Sequence, residues 1–488
     1  MLFNSYVFIL LFLPVTWCIY FLLNHCRCYR LAQVALVLCS FVFYGYQDRR
    51  LCLLLLGTIV VNYGFHSFLV RMHAGIGKRL VLALGVLANI SVLFYFKYFN
   101  FFLTTVNRFT TDDLPLKNIV LPLGISFFTF QQISLLVDSV EPGTEKYSFV
   151  DYALFVCFFP QLIAGPIVLH QELIPQFRDL EKKKPHSGNL LTGIEYFIFG
   201  FAKKVLIADS FARICDAGYD NITNLNTYSA VLTVLAFTLQ IYFDFSGYCD
   251  MAQGLGKMFN FEFPINFNAP YKAVNISDFW KRWHMTLTRF LTTYLYIPMG
   301  GNRKGKWRTY INIMLVFTIS GLWHGAAWTY VLWGMLHGAA QVLYRMGKKF
   351  FEKLPKWLMW AVTFAFVNIA WIFFRAEYFG QAFMLIKGLV SGGAGWCQEG
   401  ILASFGDNSV MLTILGSFLP AELMAWVGQV GIAAWFLLWT LVCVFAPSSH
   451  DMIRKKIRCK KYYVLLSLLF AWTFIWLPQI SKFIYFNF

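Results

Sequence analysis

The chain consists mainly of apolar runs that are long enough to form membrane-spanning helices. A helix needs about 20 predominantly apolar residues to cross the hydrocarbon core of a bilayer. Because a backbone in lipid must satisfy its own hydrogen bonds, such runs predict an all-α, polytopic membrane bundle with about 11–12 crossings. The runs lie at about 5–24, 31–46, 51–70, 80–103, 117–138, 148–169, 190–213, 228–246, 309–323, 326–344, 357–375, 428–446 and 462–481.

Proline and glycine interrupt the fifth and sixth of these runs, at Pro122, Pro160, Gly165 and Pro166. Short, broken hydrophobic segments are typical of re-entrant or tilted helices that line a cavity. We therefore expect roughly two or three helices to lie across the protein, around a central funnel. No long polar segment separates the runs, so the sequence predicts a single membrane domain over residues 1–488.

Residues 244–337 depart from this pattern, because polar, ionisable and aromatic side chains crowd together there. Asn275 is suited to cap a helix, and the carboxylate of Asp278 is placed to bond back to the helix start. The pattern then predicts one continuous helix to about Tyr296, with a stop at Pro298.

Four side chains share one face of this predicted helix: Trp280, His284, Leu287 and Leu291. The helix also carries several cations, among them Arg282. It is too polar to lie in lipid, so it is suited to a membrane interface or to the floor of a water-filled cavity.

A second hydrophobic segment ends at Trp323 and His324, which places an imidazole inside or at the edge of a membrane span. An ionisable group there marks a candidate functional site, because buried charge and unpaired polarity cost several kcal/mol. Histidine titrates near neutral pH, so it can take a proton from a hydroxyl that attacks an acyl carbonyl. His337 is a weaker candidate, and His66 fits a core histidine.

Composition supports the membrane assignment and explains the charge of the chain. Of the 488 residues, 58% are hydrophobic and 13% charged, and the mean hydropathy is +0.58. A soluble domain carries about 25% charged residues. The net charge of +17 comes largely from short basic loops, which are expected to be cytoplasmic. These loops lie at 27–30, 71–79, 345–356 and 454–461.

Two other classes of ligand find no support in the sequence. No nucleic-acid-binding motif is present. The 11 cysteines fit no zinc-site spacing, so we expect no bound metal. The first apolar run lacks a basic region before it, so we expect it to be a membrane helix and not a cleaved signal peptide.

Several segments in order resemble the membrane-bound O-acyltransferase superfamily. They are DFSGY at 244–248, NFNAPY at 266–271, DFWKRWHMTL at 278–287, YLYIPMGGNR at 294–303 and GLWHG at 321–325. They are most similar to the bacterial polysaccharide O-acetyltransferase branch, typified by the alginate O-acetylation protein. The resemblance extends from the first residues to about Glu377, and several motifs in order are far more specific than any one alone.

The resemblance implies a catalytic role for His324, where the superfamily places its essential histidine, with His284 assisting. It implies that the substrate-binding residues are Asp244, Trp280, Arg282, Trp323, Asn302 and Arg303. On residue chemistry alone, Asp244 is more suited to a structural ion pair with Lys281, Arg282 or Arg303. Residues 240–345 would form the catalytic core, between N-terminal helices at 1–230 and C-terminal helices at 357–488.

The resemblance further implies a donor, a partner and a location. The donor would be a cytoplasmic acyl thioester such as acetyl-CoA, with no tightly bound cofactor. The acetyl group would cross the membrane to a hydroxyl of an exported polysaccharide, through a periplasmic acyl-transfer partner. The chain would be a multi-pass protein of the bacterial inner membrane, in contact with its lipids.

Peptidoglycan and cellulose remain open as the acetylated polymer, and three other functions remain open from the sequence. One is D-alanyl transfer to teichoic acid from a carrier-protein thioester. The second is a proton-coupled transporter, although no internal repeat supports it; the third is a non-catalytic scaffold. Thr292-Thr293 stand where relatives commonly carry Arg-Asp, which bears on the substrate or partner. Residues 379–425 carry no usable motif and are expected to form an external loop with a short amphipathic helix.

Overall fold

The computed structural model describes residues 1–46, 48–110, 114–406, 420–455, 459–477 and 484, and all regular secondary structure in these ranges is helical. The all-α prediction is therefore confirmed. The chain divides into two compact units. Unit 1 comprises residues 1–200 and 248–265, and unit 2 comprises residues 201–247 and 266–488.

The first half of the chain forms short and long helices in the order that the apolar runs predict. They are α1 (Leu13–His25), α2 (Tyr29–Gly45), α3 (Arg50–Arg71), α4 (Ile76–Leu93), α5 (Phe99–Asn107), α6 (Ile125–Asp138), α7 (Phe149–Cys157), α8 (Phe159–Leu162), α9 (His170–Arg178) and α10 (Ser187–Ala202). π-Helical turns at Phe8–Phe12 and Phe94–Tyr98 precede α1 and join α4 to α5.

The second half begins with a π-helical turn, Lys203–Ala208, that continues α10. The helices that follow are α11 (Asp209–Asp220), α12 (Thr227–Met258), α13 (Ile276–Trp280), α14 (Met285–Leu291), α15 (Lys306–His324), α16 (Trp328–Met346), α17 (Lys348–Phe351), α18 (Lys356–Arg375), α19 (Phe379–Ser391), α20 (Glu399–Gly406), α21 (Ala421–Phe445), α22 (Ser449–Lys455) and α23 (Lys460–Ile475).

Six helical segments in the described ranges are long and apolar enough to cross a membrane. They are Phe8–His25, Arg50–Arg71, Ile76–Asn107, Thr227–Met258, Lys356–Arg375 and Trp426–Phe445. The predicted interruptions are confirmed in the fifth and sixth runs. There α6 begins only at Ile125, after the left-handed Gly124 (φ 71°), and α7 and α8 are separated at Phe158. The total number of crossings stays a prediction.

The core of unit 1 combines aromatic packing with polar pairs between helices. Phe8 packs against Phe43 and Phe159, with ring centroids 5.8 and 6.1 Å apart. Asn62 on α3 and Asn89 on α4 exchange hydrogen bonds of 3.2 and 2.5 Å. Amides that pair across helices satisfy their polar atoms inside an apolar environment, and they also fix the helix register.

A chain of hydrogen bonds anchors the loop at 139–148 within unit 1. Asp138 Oδ2 lies 2.9 Å from His170 Nε2, and Tyr147 Oη lies 2.9 Å from His170 Nδ1. The Tyr147 backbone N–H donates to His66 Nε2 at 3.2 Å, and His66 Nδ1 lies 2.8 Å from Ser139 Oγ. His66 is therefore a hydrogen-bonded core residue, as its apolar surroundings predicted.

In unit 2, α15 and α16 pack unusually closely. A Cβ atom on Gly321 would lie 2.3 Å from the Tyr330 carbonyl oxygen, and one on Gly334 would lie 2.3 Å from that of Phe317. Only glycine permits this backbone approach. The close approach fixes the last turn of α15, which carries His324.

The prediction of a loop with one short helix over 379–425 underestimates the helical content of its first part. α19 and α20 account for much of that part, because its apolar residues recur at helical spacing and pack. Asp407 and the rest of 407–419 lie outside the described residues.

Candidate active site

His324 is the last residue of α15, and its side chain is buried, with 2% of its surface exposed. Its Nδ1 lies 2.6 Å from the carbonyl oxygen of Ser320, one turn earlier. A carbonyl oxygen can only accept, so Nδ1 carries the hydrogen of the neutral ring and Nε2 carries the lone pair. The ring is therefore oriented to accept a proton at Nε2.

His284 lies between α13 and α14 in a left-handed conformation, with φ 44°. This position contradicts the predicted continuous helix from Asn275 to Tyr296. Asn275 does cap α13, accepting from the Asp278 backbone N–H at 2.8 Å, but Asp278 bonds back to Val274. Because the helix breaks at 281–284, the predicted shared face is also interrupted.

The side chain of Asn266 holds His284 in this conformation. Asn266 Oδ1 accepts from the Thr286 backbone N–H at 3.3 Å and from the Thr286 hydroxyl at 2.9 Å. The same oxygen lies 3.2 Å from His284 Nδ1, so this nitrogen is the donor. His284 Nε2 is buried and has no hydrogen-bond partner among the described residues. A non-glycine residue at positive φ costs about 1–3 kcal/mol, and such residues cluster at active sites.

The two histidines are neighbours in an aromatic cage. Their ring centroids lie 6.2 Å apart, and Trp323 contacts both, at 6.1 Å from His284 and 4.9 Å from His324. Trp333 and Phe374 enclose His324 at 5.0 and 5.5 Å. The cage limits the access of bulk water to both rings.

A cavity of about 290 Å³ adjoins this cage within unit 2. Its apolar walls come from α14 and α15 and include Leu287, Leu291, Ile313, Val316 and Phe317. Trp280 and Ser320 also line it, and Ser320 is the residue whose carbonyl oxygen accepts from His324. Two cations, Lys281 and Arg345, also line it, together with five neutral polar residues: Ser277, Thr288, Thr292, Tyr296 and Gln341. The cavity is thus apolar along its walls, cationic at two positions and one helical turn from His324.

Residues 3–379 match the family described as MBOAT, membrane-bound O-acyltransferase. The chain belongs to this family. It is therefore a membrane-bound O-acyltransferase, and its apolar helices make it a multi-pass integral membrane protein. This assignment favours acyl transfer over proton-coupled transport.

Three relatives illustrate the range of the family around this acyltransferase. A peptidoglycan O-acetyltransferase from Helicobacter pylori is 41% identical, over 100% of this chain and 98% of that protein. A probable alginate O-acetylase AlgI from Pseudomonas aeruginosa is 40% identical, over 82% of this chain and 76% of that protein. A teichoic acid D-alanyltransferase from Bacillus subtilis is 27% identical, over 67% of this chain and 85% of that protein.

The structure of the acyltransferase separates the residues that the sequence predicted to bind substrate. Trp323 lies beside both histidines, and Trp280 lines the cavity. Arg282 forms an ion pair of 2.9 Å with Asp278. Asn302 and Arg303 are exposed in a turn before α15.

Asp244 forms a buried ion pair with Lys204, with 2.8 Å between Nζ and Oδ1, so the predicted pairing with Lys281, Arg282 or Arg303 is wrong. Lys204 also contacts Asp209 at 2.7 Å. No local pattern predicts this pairing, because Lys204 lies in an apolar run 40 positions away and only the tertiary fold brings the two groups together.

Sequence reasoning on the acyltransferase missed the residues that orient the two histidines. Ser320 orients His324 through its backbone carbonyl oxygen, so the identity of its side chain could not predict this role. Asn266 lies between two prolines, a context typical of a turn, so its sequence position does not predict the hydrogen bond that its side chain accepts from His284. Trp333 could have been found, because it lies one helical turn from His337 on α16 and faces the same way.

Proposed function

We propose that this acyltransferase transfers an acetyl group from a cytoplasmic thioester, acetyl-CoA, to a hydroxyl group destined for a cell-envelope polysaccharide. The family assignment and the names of two relatives at about 40% identity support this reaction. The Helicobacter relative aligns over the whole chain, which favours peptidoglycan as the final acceptor. The enzyme would act in the bacterial inner membrane, with residues 240–345 as its catalytic core.

The observation that carries the proposal is the tautomer of His324. Because Nδ1 donates to Ser320, Nε2 carries the lone pair that a general base requires. It takes the proton of an acceptor hydroxyl as that oxygen attacks the carbonyl carbon of the thioester. The new C–O bond forms, the C–S bond breaks, and the proton passes from the imidazolium to the leaving thiolate. The products are an O-acetyl ester and a free thiol.

His284 assists this step from the neighbouring position. Its Nε2 also carries a lone pair, since Nδ1 donates to Asn266. Because the attacking hydroxyl donates its one hydrogen to His324, His284 Nε2 accepts a hydrogen bond from a second donor group of the acceptor and so orients the attacking oxygen toward the carbonyl carbon. Orientation of this kind lowers the barrier because the reactants no longer lose orientational freedom during reaction.

The cavity beside α14 and α15 is the proposed donor site. Its apolar walls suit the chain of an acyl thioester, and Lys281 and Arg345 suit the phosphates of the donor. Arg345 also begins the basic segment at 345–356, which the charge pattern predicts to be cytoplasmic. The donor would enter at this end, and a periplasmic partner would carry the acetyl group to the polysaccharide, as the family resemblance implies.

D-alanyl transfer to teichoic acid is the second candidate, because the Bacillus relative covers two thirds of the chain. Its lower identity of 27% makes it less favoured than acetylation. The two candidates differ in the donor. If the enzyme transfers D-alanine, a carrier protein charged with labelled D-alanine would label the cell wall. If it transfers acetyl groups, labelled acetyl-CoA would do so.

The test combines membranes that contain the full chain with cell wall material from the same cells and with acetyl-CoA labelled in the acetyl group. Wild type should transfer label to the wall, and His324→Ala should lower the rate by about 100-fold or more, the range lost with a general base. His73→Ala, a change at an exposed histidine outside the helices, is the matched control. Full activity in His324→Ala would overturn the proposed role, provided that both variants insert to the same level.

A further inference from the structure

His337 is a third buried histidine in unit 2, and it is bonded to a wall of the cavity. Its side chain is fully buried on α16, and Trp280 Nε1 lies 3.2 Å from its Nδ1. An indole N–H can only donate, so Nδ1 carries the lone pair and the His337 hydrogen sits on Nε2. This tautomer is the reverse of that of His284 and His324, so His337 is not a third base of the same kind.

Aromatic rings hold the His337 imidazole in place. Phe279 stacks on it, with planes at 15° and centroids 6.2 Å apart, and Phe366 meets it edge-on at 5.3 Å. Trp333 contacts it from the same helix at 4.8 Å. A ring enclosed in this way is a rigid acceptor, and a rigid acceptor fixes the orientation of the indole that donates to it.

The Trp280 indole is part of the cavity wall. Its ring meets Phe317 at 5.0 Å, and both residues line the cavity together with Ser320. Ser320 in turn holds His324 through its carbonyl oxygen. The cationic Arg345 lies about two turns beyond His337 on α16, a rise of about 12 Å. The cavity lining therefore includes the indole of Trp280, the Ser320 that holds His324, and the cation of Arg345.

We infer that His337 is a positioning residue that sets the acyl-chain length the enzyme accepts. It fixes Trp280 as the inner wall of the cavity, so that the donor chain stops with a short acyl group beside His324. This inference rests on the proposed function, because it takes the cavity as the thioester site. Hydrophobic pockets discriminate between chains that differ by one methylene by about 10- to 200-fold, so a displaced wall changes selectivity measurably.

The test measures thiol release from acetyl-, propionyl- and butyryl-CoA by the full chain in membrane vesicles supplied with cell wall material. Wild type should prefer acetyl-CoA. Trp280→Ala removes the indole that forms the wall, and His337→Ala removes the acceptor that holds this indole in place. Each change should lower the acetyl-to-butyryl ratio of kcat/KM by about 10-fold or more. A merely structural role would lower all three rates together and leave the ratio unchanged.

Two further variants test the hydrogen bond itself and remain informative where His337→Ala does not accumulate. His337→Asn places a carbonyl oxygen near the position of Nδ1, so it should restore most of the acetyl preference. His337→Gln carries its amide beyond that position and should not. The matched control is His66→Asn, a change at another fully buried histidine, in unit 1, which should leave the ratio at the wild-type value.

The possible outcomes separate the inference from the proposed function. If wild type releases no thiol from acetyl-CoA, the proposed donor and the inference both fail. If wild type is active but Trp280→Ala and the His337 variants keep its acetyl-to-butyryl ratio, only the inference fails. A lowered ratio in Trp280→Ala and His337→Gln, together with recovery in His337→Asn, supports it.

Discussion

The imidazole rings of His284 and His324 lie 6.2 Å apart, with their planes at 80°. Each ring donates its Nδ1 hydrogen to a fixed oxygen, on Asn266 for His284 and on Ser320 for His324. Both therefore carry a lone pair on Nε2. Two neighbouring proton acceptors inside an aromatic cage cost free energy in a membrane protein, and the proposed acyl transfer uses both of them.

The first prediction concerns the residue that orients His284. Asn266→Ala removes the oxygen that accepts the hydrogen bond from His284 Nδ1. The ring is then no longer held in one tautomer or in one position. We expect kcat for acyl transfer to fall by about 10- to 100-fold, since misplacement of an orienting group by about 1 Å has effects of this size. Asn268→Ala alters an exposed asparagine in the same turn and serves as the control. Equal rates in both variants would exclude the positioning role.

The second prediction concerns the buried ion pair between Lys204 and Asp244. Lys204→Met leaves the carboxylates of Asp244 and Asp209 without their cation, and breaking a buried pair costs about 3–5 kcal/mol. We expect a marked fall in the thermal unfolding midpoint of the detergent-solubilised protein.

Two comparisons test this ion pair further. The double variant Lys204→Met/Asp244→Asn should recover part of the loss, because it leaves one fewer unpaired charge. Lys203→Met changes the adjacent lysine, which is only partly buried and bonds to Ser449 at 3.1 Å, and it should cost less. A double variant no more stable than Lys204→Met would show that the two groups are not coupled.

The third prediction concerns donor affinity. Arg345 is exposed and lines the cavity, so Arg345→Gln should raise the KM for acetyl-CoA several-fold and leave kcat almost unchanged. The rise should shrink at high salt, since screening weakens exposed charge pairs. Lys349→Gln removes an exposed cation one turn later, outside the cavity lining, and should keep the wild-type KM. A selective fall in kcat in Arg345→Gln would contradict a role in donor binding.

The fourth prediction concerns pH. Burial lowers the pKa of Lys183 from its ordinary 10.5 to about 8, and the ammonium group donates to the carbonyl oxygen of Phe177. Between pH 8 and 10.5 the folded state then binds fewer protons at Lys183 than the unfolded state. The contribution of Lys183 to the free energy of unfolding therefore increases as pH rises through that range.

The comparison of wild type with Lys183→Met isolates this contribution. Wild type should show the steeper rise in thermal midpoint between pH 8 and 10.5, because methionine has no proton to bind. The measurement is the difference between the two midpoints at each pH, which removes the effect of other titrating groups. A constant difference across the range would show that Lys183 titrates alike in both states.

Apolar runs predicted the helices well because the signal is local. α3 at Arg50–Arg71 and α18 at Lys356–Arg375 follow the runs at 51–70 and 357–375 closely. Proline and glycine predicted the interruptions before α6 and between α7 and α8. In each case the residues that decide the conformation are the residues in the segment itself.

The helix predicted from Asn275 to Tyr296 failed for a different reason. Nothing within that segment requires a break at His284, and its apolar spacing favours a continuous helix. The break is stabilised by Asn266, which lies before the segment and contacts both His284 and Thr286. A side chain outside the periodic pattern therefore overrode the local preference.

The sequence by itself determined that this chain is a bundle of membrane helices with an imidazole at the end of an apolar segment, because composition and spacing within about 20 residues suffice for both. The tertiary structure alone decided which nitrogen of each histidine carries the lone pair, which cation neutralises Asp244, and which residues line the cavity. These features depend on atoms that are distant along the chain and that meet only when the helices pack.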